Sequence, residues 1–422
     1  MGRVSAAILR LHEASILSVH HHASGQPDKA ADHIGGNVSK RESLGIKRLH
    51  SLHYYVRDLE RMTQLFVDRL DFIEIGRSSA ERTAAGRQQS VAFAAGDAVF
   101  TFSAPLDDTA RAARFLNKHP EGVGTIVFEV ADCDHALKII ESRGGTPITD
   151  VETTTDANGT FRTFSITTPF GDTTFRFVES DKYDGLYPGF EKTAPRPDGN
   201  SFDISHIDHI TSNFPTMAPA LLWMEHVLGF ERYWTVEFHT DDIAGDRDHG
   251  SGLKSIVMWE PESGVKFANN EPKRPFFRRS QINVFSEEHR GAGIQHTALV
   301  VKDIVASVET LRKRGVEFMP TPDTYYDALP ERLHTSGIGE IDEDIEVLRE
   351  HGVLVDGDQS KAYMLQIFMK EQAGQFNDPD AGPFFLEIIQ RKGDQGFGAG
   401  NFRALFESIE RQQVAEGKVA PS

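Results

Sequence analysis

Two histidines and one glutamate in the second half of the sequence have the chemistry of a metal site. These residues, His209, His296 and Glu387, lie far apart in the chain. Two neutral imidazoles and a carboxylate can occupy one face of a metal ion and leave the opposite face open for a substrate and O2, as in non-haem Fe(II) oxygenases. A catalytic zinc ion also takes three protein ligands and water, so the residue types alone leave the metal open.

The neighbours of Glu387 favour a metal partner for its carboxylate. The residue lies in the apolar stretch Phe384–Ile389, where burying a carboxylate without a partner would be costly. A cation held jointly with the two histidines would offset that cost. Strand alternation could instead direct Glu387 to solvent, so the stretch predicts a ligand without requiring one.

An internal repeat surrounds the candidate ligands. Each member of the best-matched pair is followed by a helix-like segment that ends in a basic residue and glycine. A repeat of this size indicates duplicated domains. Three pairs of segments correspond in layout or sequence: Gly122–Asp132 with Gly293–Asp303, His53–Phe72 with His209–Phe230, and Phe175–Glu179 with Leu386–Gln390.

The two halves differ at the positions of the candidate ligands. Opposite the metal-binding residue types of the second half, the first half offers His53, Thr125 and Arg176. A cation and a hydroxyl at two of these positions make a divalent metal site there very unfavourable. We therefore expect the second half to hold the metal and the first half to support it.

The order of predicted elements indicates an α+β fold with duplicated β-α-β-β-β modules. Four times along the chain, a segment whose apolar residues have helical spacing is followed by segments whose apolar and polar residues alternate as in strands. Two such units in each half would curl a mixed sheet around a cavity. We expect two open, barrel-like domains. The predicted bounds are a poorly ordered leader at 1–44, a first domain without metal at 45–180, a proline- and glycine-rich linker at 181–200, and a catalytic domain at 201–422 that ends in a closing helix.

Composition excludes several other classes of protein. The formal net charge of −18 disfavours binding to nucleic acid. No apolar run reaches the roughly 18–20 residues of a membrane helix. The N-terminal sequence lacks the unbroken apolar stretch of a secretory signal. One cysteine, Cys133, allows no intrachain disulfide. We expect a cytoplasmic protein with a small-molecule partner.

Four stretches of the second half carry distinctive motifs: Gly293–His296, Leu365–Phe368, Phe385–Arg391 and Gly396–Phe402. A fifth motif is Asn270-Glu271-Pro272 followed by Arg279-Ser280-Gln281-Ile282. These motifs resemble the signatures of the 4-hydroxyphenylpyruvate dioxygenase family, within the vicinal oxygen chelate (glyoxalase-like) superfamily. The resemblance is strong from about Ser205 to Glu410 and rests on repeat layout before that.

The resemblance implies roles for individual residues. His209, His296 and Glu387 would hold Fe(II) (Fe²⁺). The polar groups and aromatic walls of a pocket for an aromatic 2-oxo acid and O2 would surround the metal. The implied catalytic residues are Gln281, Gln295, Gln366 and Phe385. The implied substrate contacts are Ser255, Asn270, Gln281, Gln366, Phe368, Phe385, Phe397, Asn401, Phe402 and Leu405. A role for Gln295 in orienting the neighbouring ligand His296 is equally compatible with its position.

The implied reaction converts 4-hydroxyphenylpyruvate and O2 to homogentisate and CO2, in tyrosine catabolism. It combines oxidative decarboxylation, ring hydroxylation and side-chain migration, and the fold implies a homo-oligomer. Ala268 departs from the proline usual in the family, which keeps 4-hydroxymandelate synthase as the first alternative, whereas an aromatic residue at Phe385 favours homogentisate. An extradiol ring-cleaving dioxygenase and a non-catalytic small-molecule binder are the remaining alternatives.

Overall fold

Two β-sheets, one from each half of the chain, organise the structure. The computed structural model describes residues 42–194, 196–239, 252–274, 278, 280–359, 361–398 and 400–401. Most of the predicted leader, and nearly all of the predicted closing helix, lie outside these residues. Among the described helices, none combines the length and the apolar character needed to cross a bilayer.

The first sheet has the strand order β6-β7-β8-β5-β1-β4-β3-β2-β9. Its central strand β5 is buried along its whole length, which suits its run of valine, isoleucine and phenylalanine. Strand β9 lies in the predicted linker and pairs with β2, so part of that segment belongs to the first sheet. The strands are β1 (Ile46–Tyr55), β2 (Ile73–Ser78), β3 (Gln88–Ala95), β4 (Ala98–Pro105), β5 (Gly122–Val130), β6 (Glu152–Asp156), β7 (Gly159–Ile166), β8 (Thr174–Glu179) and β9 (Phe190–Lys192).

The second sheet has the order β11-β12-β13-β10-β14-β17-β16-β15. Starting from β15, this is the order of the first sheet from β6 to β2, without a counterpart of β9. In both sheets the first strand pairs in parallel with the fourth and antiparallel with the fifth. The strands are β10 (Ile207–Asn213), β11 (Glu231–His239), β12 (Gly252–Trp259), β13 (Lys266–Pro272), β14 (Gly293–Val300), β15 (Leu354–Gln359), β16 (Ala362–Phe368) and β17 (Phe385–Lys392).

Helices connect the strands and cover the sheets. The helix after β1 continues into a π-helical turn at Gln64–Arg69, and the helix after β10 does the same at Met224–Leu228. The helices are α1 (Leu59–Thr63), α2 (Ala80–Gly86), α3 (Arg111–Leu116), α4 (Cys133–Ser142), α5 (Ala218–Trp223), α6 (Gln281–Glu288), α7 (Ile304–Lys313), α8 (Asp323–Asp327), α9 (Leu329–Thr335), α10 (Ile345–His351) and α11 (Gln372–Phe376), with a 3₁₀ turn at Pro379–Ala381.

The predicted duplication is confirmed down to the helix caps. The side chain of Asp132 accepts a hydrogen bond from the backbone of His135 and begins α4, and Asp303 caps α7 through Ala306 in the same way. Such caps stabilise a helix by about 1 kcal/mol each. Each sheet therefore consists of two β-α-β-β-β units, and the predicted α+β fold class is correct.

Strand register corrects one detail of the sequence alignment. In the first sheet His53 pairs with Thr125, whereas in the second sheet the partner of His296 is Thr211. The position of His209 is therefore occupied in the first sheet by Ser51, two residues before His53. The alignment matched histidine to histidine, but backbone pairing determines which residues are equivalent. Arg176 does occupy the position of Glu387.

Aromatic side chains pack the two sheets together. Phe128 of the first sheet lies 6.2 Å from Phe267 of the second, and Phe170 lies 5.1 Å from Phe214, between ring centroids. All four side chains are fully or almost fully buried. Burial of such rings contributes on the order of 2 kcal/mol each, so the first half supports the second through a shared core.

Candidate metal centre

Three neighbouring strands bring the predicted ligands together. In the register of the second sheet, His209 on β10 and Glu387 on β17 both pair with Ala298 of β14. His296 lies two residues before Ala298 and therefore points to the same face of the sheet. Residues distant in sequence thus become neighbours because β14 lies between β10 and β17.

The donor atoms of these residues form one buried cluster. Nε2 of His209 lies 3.3 Å from Oε2 of Glu387, and Nε2 of His296 lies 3.4 Å from the same oxygen. One ligand atom from each residue lies within 4.8 Å of the others. The three side chains are 3–6% exposed. A buried carboxylate facing two imidazole nitrogens fits a divalent metal, because the metal would satisfy all three donors.

Asp208 and Arg391 fix the orientation of His209. Nδ1 of His209 is hydrogen-bonded to Oδ2 of Asp208 at 2.8 Å. Arg391 donates through Nε to Oδ1 of Asp208 at 2.6 Å and through Nη2 to Oδ2 at 2.7 Å. With the proton of His209 on Nδ1, the lone pair on Nε2 faces the site, which is the arrangement that orients metal-bound histidines.

Gln295 and Phe385 orient His296. Nδ1 of His296 lies 3.1 Å from Oε1 of Gln295, so the amide oxygen can accept the ring proton and leave Nε2 for the metal. The Phe385 ring stacks on the His296 ring at 4.8 Å and 20°. This contact favours the orienting role over the catalytic role predicted for Gln295, and the catalytic role stays a prediction.

Despite burial, the electrostatics of the cluster favour the charged forms of Glu387 and His209. Burial raises the pKa of Glu387, but His209 and His296 outweigh it and lower that pKa to about 2. Burial alone would lower the pKa of His209, yet the carboxylates of Glu387 and Asp208 raise it to about 9. Burial lowers the pKa of His296, which Glu387 partly offsets. The site therefore keeps an ionised carboxylate where a cation would bind.

Several predicted pocket residues line the sheet beside the metal ligands. Ser255 on β12 is the pairing partner of Asn270 on β13, and both are buried. Nδ2 of Asn270 donates to Oδ1 of Asn213 at 3.1 Å. Ala268 pairs with Thr211, the partner of His296, and so lies nearer the ligands. These residues form one polar wall next to the metal centre.

Gln366 and Phe368 on β16 form the opposite wall. Phe368 pairs with Glu387, and its ring lies 6.0 Å from that of His296. Gln366 is 2% exposed, and its Oε1 has no hydrogen-bond partner among the described residues. Gly398 adopts φ +72°, and a Cβ there would lie 2.5 Å from this oxygen, so a larger residue would strain the backbone and displace the amide. An unpaired buried acceptor is costly unless a ligand satisfies it.

Phe397 covers the centre on the side of His209. Its ring lies 5.2 Å from the His209 ring and 5.9 Å from Trp234, and the Arg391 guanidinium lies 5.8 Å from its centroid. Asn401 is also buried, but its Oδ1 accepts from Tyr325 at 2.5 Å and from Arg332 at 3.1 Å. Asn401 thus ties the end of the described chain to α8 and α9, and its substrate contact stays a prediction.

Of the three remaining predicted site residues, one is described by the structure. Gln281 is the exposed first residue of α6, which gives no support to a catalytic or substrate role. Phe402 and Leu405 lie outside the described residues.

Sequence reasoning missed Asp208, Arg391 and Asn213. Asp208 is adjacent to a predicted ligand, and Arg391 ends a stretch that carried the family resemblance. Neither position was assigned a function from the sequence. Asn213 lies four residues after His209 on β10, so the two side chains point to the same face of the sheet. Alternation along β10 could have identified it once His209 was taken as a ligand.

Comparisons with known proteins agree with this geometry. The family model of the Glyoxalase/Bleomycin resistance protein/Dioxygenase superfamily matches residues 48–173 and 206–329. A 4-hydroxyphenylpyruvate dioxygenase of Caenorhabditis briggsae is 39% identical over 333 residues, covering 76% of this chain and 80% of that protein. One from Danio rerio is 34% identical over 382 residues, covering 88% and 91%.

Solved structures share the architecture. A triple mutant of 4-hydroxymandelate synthase from Streptomyces coelicolor superposes with a TM-score of 0.71 at 25% identity, covering 87% of this chain and 99% of that one. The fold and the buried His-His-Glu cluster therefore define a metal-dependent dioxygenase of the glyoxalase and vicinal oxygen chelate superfamily. Within that superfamily, the chain belongs to the 4-hydroxyphenylpyruvate dioxygenase family of oxidoreductases.

Proposed function

We propose that this protein converts 4-hydroxyphenylpyruvate and O2 to homogentisate and CO2, with Fe(II) held by His209, His296 and Glu387. The observation that carries the proposal is the buried cluster of one carboxylate and two imidazole nitrogens. Family membership supports the substrate, because the curated relatives are named for it. Bound Fe(II) would supply the redox chemistry and the coordination sites for the 2-oxo acid and O2.

The side chains around the cluster would hold the substrate in place. Phe385 and Phe368 offer apolar faces beside His296 for an aromatic ring. The polar wall of Ser255 and Asn270 and the unpaired Oε1 of Gln366 offer neutral hydrogen-bonding groups for the phenol and the 2-oxo acid. Phe397 would exclude water on the side of His209.

Anaerobic loading with Fe(II), followed by O2 uptake with 4-hydroxyphenylpyruvate and product analysis, tests the proposal. We expect one iron per chain, O2 consumption that depends on the substrate, and equal release of homogentisate and CO2. Glu129→Gln, which changes a glutamate on the first sheet, serves as the matched control for Glu387→Gln. Turnover of catechols without activity on the 2-oxo acid would instead indicate ring cleavage, and an absence of both iron and O2 uptake would indicate a binding protein.

4-Hydroxymandelate synthase is kept as a second candidate because of Ala268. This residue packs with Val257 and Phe397 in a small cluster beside the metal centre, so its size affects how the substrate ring lies. The solved relative with the TM-score of 0.71 is a mutant of that synthase. 4-Hydroxymandelate as the main product would support this candidate over the first.

We also propose a homo-oligomer and a cytoplasmic location. Light scattering on the purified protein tests the first, and cell fractionation tests the second.

A further inference from the structure

The first sheet contains a cavity at the place where the second sheet has its metal ligands. Arg176 on β8 occupies the register position of Glu387 and lines this cavity, whose volume is about 290 Å³. Exposed residues of α2, Ala85 and Gly86, lie at its edge. The remaining lining residues are His53, Arg82, Gln88, Ser90, Thr101, Tyr187 and Phe190.

The charge of this cavity is positive. Nη1 of Arg82 donates to the backbone oxygen of Pro188 at 2.6 Å, and Nε of Arg176 donates to Oγ of Ser165 at 3.4 Å. Among the described residues, neither guanidinium forms a salt bridge, and no Asp or Glu lines the cavity. Burial, together with Arg176, lowers the pKa of Arg82. Two partly buried cations without a carboxylate partner are costly unless an anion binds.

A buried histidine, His53, lines the same cavity and carries no negative charge into it. His53 is 7% exposed, and its Nδ1 has no hydrogen-bond partner among the described residues. Its Nε2 is hydrogen-bonded to Oγ of Ser103 at 2.7 Å, and that hydroxyl is also bonded to Oγ of Ser90 at 2.6 Å. Ser103 can donate to Nε2 while accepting from Ser90, which leaves the proton of His53 on Nδ1.

Two aromatic rings, those of Tyr187 and Phe190, form one wall of the cavity beside Arg82. The Arg82 guanidinium lies 5.3 Å from the centroid of Phe190 and 5.9 Å from that of Tyr187. Tyr187 is fixed by a 2.6 Å hydrogen bond between its hydroxyl and Oγ of Ser51, the residue at the register position of His209. Guanidinium groups bind carboxylates through paired hydrogen bonds.

From these contacts we propose that the first module binds a small aromatic carboxylate in this cavity, through Arg82 and Arg176. The site is separate from the metal centre and does not depend on the function proposed above. The position that holds a metal-binding carboxylate in one module would thus recognise a carboxylate of the ligand in the other.

Isothermal titration of the iron-loaded full chain with benzoate tests the proposal. We expect a saturable site that Arg176→Gln and Arg82→Gln each weaken by about 10- to 100-fold, the value of a charged hydrogen bond. Arg114→Gln, which removes an exposed arginine of α3 outside the cavity, should leave this site unchanged. Arg82→Gln carries the test if circular dichroism shows that Arg176→Gln does not fold.

Three results would overturn the proposal. The first is the absence of saturable benzoate binding. The second is binding that both cavity variants leave intact, which would place benzoate elsewhere, such as at the metal centre. The third is tighter binding of inorganic phosphate than of benzoate, which would replace the carboxylate with a different anion.

Discussion

The two modules of this protein share a backbone and differ in chemistry. Both have the same strand order, the same helix caps and the same π-helical turn after the first helix. At the three equivalent positions, the second module has His209, His296 and Glu387, and the first has Ser51, Thr125 and Arg176. Strand pairing supplies the three positions in both modules, so the side chains alone decide which module can hold a metal.

The difference extends to the residues that would support the ligands. Gln295, which contacts His296, corresponds to Gly124 in the first module. A Cβ at Gly124 would lie 2.1 Å from the ring of Tyr55, whose hydroxyl lies 3.3 Å from Oγ1 of Thr125. In the first module, the Tyr55 ring thus occupies the space that corresponds to the Gln295 amide of the second module. The first module therefore differs from the second in the surroundings of the three positions as well as in the residues that occupy them.

Removal of the Glu387 carboxylate, which faces both histidines, should leave the second module as unable to hold a metal as the first. We expect Glu387→Gln to lose more than about 100-fold in activity and to bind little Fe(II), since even groups that only orient metal ligands are worth 10- to 100-fold. Metal analysis and O2 uptake measure both effects. Glu129→Gln should keep normal iron content, and an iron-replete, active Glu387→Gln enzyme would contradict the assigned ligand set.

A substitution of Asp208 tests how much the residue that orients a metal ligand contributes to Fe(II) affinity. Asp208→Asn weakens the contacts with both His209 and Arg391, and we expect Fe(II) affinity to fall about 10- to 100-fold. Fe(II) titration followed by activity measures this, and a thermal melt separates weaker binding from loss of the fold. Asp203→Asn, at an exposed aspartate just before β10, is the control. Equal iron affinity in the two variants would make Asp208 a purely structural residue.

Gln295 should show a smaller effect of the same kind. Gln295→Leu removes the acceptor for Nδ1 of His296, and a neutral hydrogen bond contributes about 1 kcal/mol, so we expect a roughly 3- to 10-fold loss of Fe(II) affinity. Gln295→Glu keeps an acceptor at this position and should retain the affinity. If the loss appears in kcat with Fe(II) saturating, Gln295 acts on the substrate, as the family resemblance implied.

The repeat and the ligand types made most of the fold and the metal cluster predictable from sequence. The buried strand β5 contains the apolar run Ile126–Phe128, and the aspartate caps of α4 and α7 align without gaps. The equivalence of His53 with His209 was wrong because sequence alignment cannot see strand register. The ion pair of Asp208 with Arg391 joins residues distant in the chain, so only the arrangement of β10 and β17 reveals it.

The edge strands provide the last contrast between the modules. All five residues of β6 are exposed, whereas the corresponding strand β15 contains Leu354, Val355 and a partly buried Asp356. The carboxylate of Asp356 accepts from the backbone of Gly400 at 3.1 Å. Burial raises the pKa of Asp356 to about 6, although Arg332 and the Gly400 N–H oppose this shift, and Asp394 adds to it.

This raised pKa predicts a pH-dependent stability. The folded state binds a proton more tightly than the unfolded state, so the contribution of Asp356 is most favourable below about pH 4 and is lost as pH rises to about 6. Asp356→Asn should therefore gain stability over the parent with rising pH, by on the order of 1 kcal/mol at pH 7 once partial exposure is allowed for. Urea unfolding at pH 4.5 and pH 7 measures this. Asp342→Asn is the control, because the Lys392 contact lowers the pKa of Asp342 from its ordinary value of 3.8, so the stability difference for this variant should stay nearly constant between pH 4.5 and pH 7. A pH-independent difference for Asp356→Asn would mean that β15 is no more enclosed than β6.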